Sequence, residues 1–231
     1  MKRFFSFLTG VCVAVIVATV PACGQQLPSQ EQMRSMLPDL TEKIQSNPKD
    51  VQSLSLRGFI YQQLGNPTNA VADFTQALDA APTSEEALHC YNFRLTAYMQ
   101  LKDFPHALTD ASAAIKLKPD AMAYSNRGAV YLYLKQLADA IKDDSKALQL
   151  NPSYGPAYDG LGEAAYKLGK YQDSIAYCNR ALYLDPRNLD ALYFRGKSYE
   201  ALGKKMLAQK DLESARSRGF KPDQPFIMTE K

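Results

Sequence analysis

The chain has 231 residues, room for one or two ordinary domains or for an array of repeats. Strand-like alternation is sparse beyond the N-terminus, and Ala, Leu, Lys, Gln and Tyr dominate, so an all-α class is expected. The net charge of +3 falls to +1 when Lys2 and Arg3 are set aside, and the four cysteines contain no CxxC pair, which argues against nucleic acid, a zinc site and a disulfide framework.

Taken in order, residues 1–3 form a short basic start and residues 4–20 an apolar run containing Ser6, Thr9 and Gly10. Val20, Pro21, Ala22, Cys23 and Gly24 come next. A basic start, an apolar core and small residues at the end are the layout of a secretory signal peptide. A cysteine directly after a small residue resembles the bacterial lipobox, although Pro21 stands where a small apolar residue is usual. The resemblance implies a signal peptide over residues 1–22 and a lipidated Cys23. It further implies an exported protein of the bacterial cell envelope, an outer-membrane lipoprotein facing the periplasm, because Gly24 rather than Asp follows the cysteine. Ordinary cleavage nearby, giving a soluble secreted or periplasmic protein, and an uncleaved anchor stay open as alternatives. For the last, 17 apolar residues are at the short limit. Residues 23–32 are polar and read as a tether.

Residues 33–48 carry Met33, Met36, Leu37, Leu40 and Ile44 at helical spacing, closed by Asn47 and Pro48. They are expected to form a leading partial repeat, kinked or started at Pro38, that caps the first full repeat. From Val51 a 34-residue unit recurs, over residues 51–84, 85–120, 121–154, 155–188 and 189–222, the second carrying three extra residues, 85–87, before its aligned start at Leu88, and residues 223–231 are left as a tail. The unit over residues 121–154 has Gly128, Tyr131, Ala140, Ala147 and Pro152 at its positions 8, 11, 20, 27 and 32. Gly58, Tyr61, Ala70, Ala77 and Pro82 repeat the series, and Gly162, Ala181 and Pro186 continue it. Small residues at three fixed positions let two helices approach closely, and the proline stops the second helix.

This pattern resembles the tetratricopeptide repeat (TPR) family. The resemblance implies an all-α, right-handed superhelical α-solenoid of about five TPR helix-turn-helix repeats, each with a helix A and a helix B.

Position 7 is Arg57, Arg94, Arg127 and Arg195 in repeats 1, 2, 3 and 5, and position 23 is Asp73, Asp110, Asp143 and Asp211 in the same repeats. Repeat 4 has Leu161 and Tyr177, so both partners are missing together. Structural ion pairs between antiparallel helices are expected, with the arginine fork meeting the carboxylate bidentately. Asp144 is a misfit: it stands at position 24, where Phe74 and Leu212 stand in their repeats, and a buried carboxylate there is costly.

No catalytic constellation, metal-ligand spacing or phosphate-cradling loop is present in the sequence, so neither an enzyme, a cofactor nor a metal is expected. The two histidines, His89 and His106, stand apart from any second ligand, and Cys90 and Cys178 read as small buried hydrophobes. The family resemblance instead implies protein partners, bound as a peptide segment on the concave helix A surface. On the implied positions stand Phe59, Asn92, Phe93, Asn126, Tyr133, Tyr166, Tyr193 and Phe194. Chaperone-binding TPR proteins hold a peptide carboxylate between Lys, Asn and Arg side chains. Asn126 matches the middle residue, but Asn92, Thr96, Pro156 and Gly160 replace the flanking ones, so no such clamp is expected. The resulting reading is a non-catalytic interaction scaffold, tethered to a membrane through Cys23. A soluble adaptor, or an accessory subunit that modulates an envelope hydrolase or assembly complex, is the alternative, and the oligomeric state is not readable.

Overall fold

The computed structural model describes residues 28–83 and 85–220. The signal-peptide and lipidation readings at residues 1–23 and the tail at 223–231 lie outside the described residues. Eleven α-helices are described: α1 (Gln30–Ser46), α2 (Val51–Gln63), α3 (Pro67–Ala80), α4 (Glu85–Gln100), α5 (Phe104–Leu117), α6 (Ala121–Tyr133), α7 (Leu137–Leu150), α8 (Gly155–Lys167), α9 (Tyr171–Leu184), α10 (Leu189–Ala201) and α11 (Lys205–Ser217). Among the described residues there is no strand. The fold is that of an α-solenoid. The chain divides into two compact units, one ending at Leu117 and one starting at Lys118.

In the first unit, α1 packs on α2, α2 on α3, α3 on α4 and α4 on α5. The first helix begins earlier than the hydrophobic pattern suggests. Ser29 and Gln32 form a capping box, the Ser29 N–H donating to Gln32 Oε1 at 2.8 Å, so residues 30–32 of the expected tether are helical. Pro38 lies inside the helix and does not start it. Met33, Leu40 and Ile44 of α1 join Leu54, Phe59, Ile60, Phe74 and Cys90 in one buried cluster. A fully buried phenylalanine such as Phe74 contributes about 1.5–3 kcal/mol. The contact depends on Gly58, because a Cβ there would stand 2.9 Å from the Phe74 ring. Helix α4 is three residues longer than α2, starting at Glu85 in line with the inserted residues 85–87.

In the second unit, α6 packs on α7, α7 on α8, α8 on α9, α9 on α10 and α10 on α11. The helix A elements α6, α8 and α10 also touch in sequence order. Asp120 and Asn188 cap α6 and α10 through Ala123 N–H and Ala191 N–H, both at 2.9 Å. In every repeat the turn from helix A to helix B needs one residue at positive φ. That residue is Gly65, Gly169 or Gly203 in three repeats and Lys102 or Lys135, each at φ 59°, in the other two.

Four arginines clasp helix B to helix A. Arg57 donates from Nε and Nη2 to Asp73 at 2.9 and 2.7 Å, and Arg94 to Asp110 at the same distances. Arg127 meets Asp143 at 2.6 and 2.9 Å, and Arg195 meets Asp211 at 2.6 and 2.8 Å. A third donor of three of these arginines reaches the preceding helix B: Arg57 to Thr41, Arg94 to Thr75 and Arg195 to Asn179. Each such guanidinium therefore joins three helices. Burial pushes the Asp110 carboxyl up despite the pull of Arg94. Repeat 4 uses hydroxyls instead. Ser174, fully buried where other repeats have alanine, donates to the Gly162 carbonyl at 2.8 Å and accepts from Ser198 at 2.9 Å.

Candidate peptide-binding surface

The first unit carries three of the eight residues expected to bind a peptide. Phe93 on α4 is half-buried, stacked on Phe74 with centroids 5.8 Å apart and edge-on to Phe59 at 5.3 Å. Phe59 is 1% exposed and belongs to the core, which corrects its expected role as a binding residue. Its ring is covered because the next helix A places Phe93 against it. Asn92 is half-buried, and its carbonyl accepts from Thr96 at 2.9 Å.

The second unit carries the other five. Tyr166 on α8 and Phe194 on α10 approach with centroids 5.8 Å apart, and Tyr193 meets Phe194 edge-on at 5.2 Å. Two rings not included in the expected surface complete the group: Tyr171 at 5.9 Å from Tyr166 and Phe220 at 4.6 Å from Tyr193. Phe220 is folded back by the end of α11. Its N–H donates to the Ala215 carbonyl at 3.0 Å and that of Gly219 to Arg216 at 2.9 Å, with Gly219 at φ 89°. An apolar residue directly after a C-terminal glycine is the signal that finds it. All five rings are half-buried, so each offers a face while being held by its neighbours. Asn126 and Tyr133 are half-buried on α6.

Several charged groups on this unit are paired. Glu163 meets Lys167 at 2.7 Å, Lys197 meets Glu200, and both oxygens of Asp159 accept from the Asn188 amide at 2.7 and 2.5 Å. Asp144 differs from them in being buried without an ion-pair partner. It is 1% exposed, and neither carboxylate oxygen has a hydrogen bond of good geometry, the Ser125 hydroxyl being the polar group beside it. Burial drives its carboxyl well above the usual carboxylate range, and the charges of Asp143, Asp159 and Glu163 push the same way against a downward pull from the Ser125 hydroxyl. Two glycines make room for it. A Cβ on Gly128 would stand 3.1 Å from Oδ1, and one on Gly160 would stand 2.0 Å from Oδ2.

Cys90 and Cys178 are buried free thiols; burial pushes Cys178 up to about 12. His106 is exposed and pairs with Asp103 at 2.7 Å. Among the described residues, no group of three His, Cys, Asp or Glu is placed to hold a metal ion, and no helix is long and apolar enough to cross a membrane.

Comparison with known proteins settles the family. The tetratricopeptide repeat description matches residues 51–84, 121–154 and 155–188 separately. The chain belongs to the tetratricopeptide-repeat family. Small glutamine-rich tetratricopeptide repeat-containing protein 2 of Mycosarcoma maydis is 32% identical over 91 residues, which is 39% of this chain and 26% of that protein. The TPR match thus spans about a quarter of that relative. Among solved structures, a TPR protein from Parabacteroides merdae is 22% identical with a TM-score of 0.71, covering 83% of this chain and 75% of that one. PilW, a type IV pilus biogenesis factor, is 21% identical with a TM-score of 0.69, covering 81% and 86%. YrrB, described as a TPR protein with an unusual peptide-binding site, is 19% identical with a TM-score of 0.56, covering 80% and 93%. At these identities the likeness is one of fold.

Proposed function

We propose that this TPR protein is a non-catalytic adaptor that binds an extended or helical segment of a partner protein along its helix A residues. The observation that carries the reading is the group of half-exposed rings Tyr166, Phe194, Tyr193 and Phe220, which spans two successive helix A elements and the end of the last helix B. Rings held in place by one another offer apolar area at little entropic cost. Asn126, on α6 of the same unit, carries an amide, a group of the kind that bonds a peptide backbone. The absence of a carboxylate clamp directs recognition to an internal segment rather than to a chain terminus. YrrB and PilW, described by a peptide-binding site and by pilus biogenesis, support the reading by their likeness in fold.

In the same reading the adaptor sits at a bacterial envelope, tethered by acyl chains on Cys23, on the strength of the basic, apolar and small-residue pattern of residues 1–24. Pro21 favours the second reading, an unlipidated adaptor released into the periplasm or beyond. Intact mass of the mature N-terminus and membrane fractionation of wild type and Cys23→Ala separate the two. For the binding surface, Tyr166→Ala combined with Tyr193→Ala is expected to weaken capture of a co-purifying protein at least about tenfold with the helical signal intact. Unchanged capture by the double variant removes the surface from the account.

A further inference from the structure

Position 24 of helix B is filled by apolar side chains in three other repeats: Phe74, Cys178 and Leu212. Each lies against the glycine of its own helix A. The fold therefore does not require an acid there, yet repeat 3 has Asp144. Its carboxylate is closed off from water without a hydrogen bond of good geometry, an arrangement that native proteins rarely keep without a use. Its direction is informative. The place that a Cβ of residue 160 would take lies 2.0 Å from Asp144 Oδ2, so the acid stands where α8 lacks a side chain. Residue 160 is position 6 of its repeat, the position held by Phe194 in the next one, and Gly160 is half-exposed. A buried acid thus lies directly behind a bare, partly exposed stretch of the ligand-facing helix.

We propose that this stretch is the seat of a basic side chain, lysine or arginine, of the bound segment, with Asp144 as its counter-ion. The inference rests on the peptide-binding reading above. A cationic side chain brings its own donors to the two carboxylate oxygens, whereas a bare divalent ion needs a larger ligand set than the described residues assemble. Tyr166 of α8 and Phe194, at the position of the next helix A, α10, that matches Gly160, offer apolar surface for its alkyl stem. The groups that face the site are Ser125 of α6, Asp143 of α7, Asp159 and Glu163 of α8, and Tyr154 just before α8. Arg127 is engaged by Asp143 and Lys167 by Glu163. Seating the cation ionises the Asp144 carboxyl, whose proton leaves to solvent, so the preference for a basic peptide grows as pH rises.

The test uses the full chain and synthetic dodecapeptides of a Leu, Phe, Ser and Gly host, each with a central Lys, Arg or Gln. Affinities are measured for wild type and Asp144→Asn, with circular dichroism of both. The expected result is that Lys or Arg peptides bind wild type about tenfold tighter than their Gln counterparts, and that Asp144→Asn loses the preference. If peptides bind but Lys, Arg and Gln are equivalent, or the basic preference survives in Asp144→Asn, the seat is overturned and the binding surface stands. If no peptide of the panel binds wild type, the binding surface falls and the seat with it. Should Asp144→Asn fail to fold, wild type decides alone: a Lys-over-Gln ratio that does not rise with pH overturns the seat.

Discussion

Repeats 1 and 3 solve the same packing problem with opposite chemistry. In repeat 1, Phe74 fills the space against Gly58 and stacks on Phe93 of the next helix A. In repeat 3 the corresponding triad is Asp144, Gly128 and Gly160. A large apolar side chain facing another has become an acid facing a glycine. Both arrangements close the interior, since Phe74 is fully buried and Asp144 is 1% exposed. The first gains from burial, while the second loses the solvation of a carboxylate and recovers no hydrogen bond of good geometry. One helix-pair scaffold can therefore carry a costly group at a single junction while its other junctions supply the stability.

The largest expected effect comes from removing the apolar version. Phe74→Ala should cost about 3–5 kcal/mol in urea unfolding, because the cavity lies between two helices. A cost below about 1 kcal/mol would mean that Phe74 is no more structural than the acid. Next, Gly160→Ala should cost about 1–3 kcal/mol through the 2.0 Å clash with Asp144. Most of that cost should vanish when Asp144→Ala is added, a coupling that a double-mutant cycle reads directly. Asp144→Asn should be stabilising by about 1 kcal/mol near neutral pH. The sign follows from the raised carboxyl: the folded state holds its proton to higher pH than the unfolded state. Wild-type stability therefore falls as pH rises from about 4 through the folded titration, and the Asn variant lacks this fall. Thermal melts of both proteins across that range check it. The smallest effect separates the two repeats at their turns. Gly65 serves repeat 1 and Lys135 serves repeat 3 at positive φ, so Lys135→Gly should gain about 0.5–1 kcal/mol, whereas Gly65→Lys should lose a similar amount.

Much of this was legible in the residues, and the reasons differ by feature. The 34-residue period is readable because close helix approach demands small residues, as the 2.9 Å between a Cβ at Gly58 and the Phe74 ring shows. The sixteen-residue separation of Arg57 from Asp73 is readable for the same reason, since the two positions face each other across an antiparallel pair. The acid at 144 could be identified as a misfit from its register alone. Burial of Phe59 could not be read from its own repeat, because the ring that covers it, Phe93, belongs to the next one. Phe220 is legible only in part: the glycine before it marks a helix end, while the ring's return to Tyr193 depends on the two hydrogen bonds at that glycine and at Phe220 itself. The Ser174–Ser198 link of repeat 4 carries no sequence signature, since serine at a small-residue position reads simply as small.

The most direct measurement is a carbon-detected NMR titration of the Asp144 side-chain carboxyl in the folded protein. The account predicts ionisation far above the ordinary aspartate value of about 3.9, with the resonance of a neutral acid at mildly acidic pH. Titration near the ordinary value would mean that the carboxylate is solvated or partnered, and the contrast between repeats 1 and 3 would lose its physical basis.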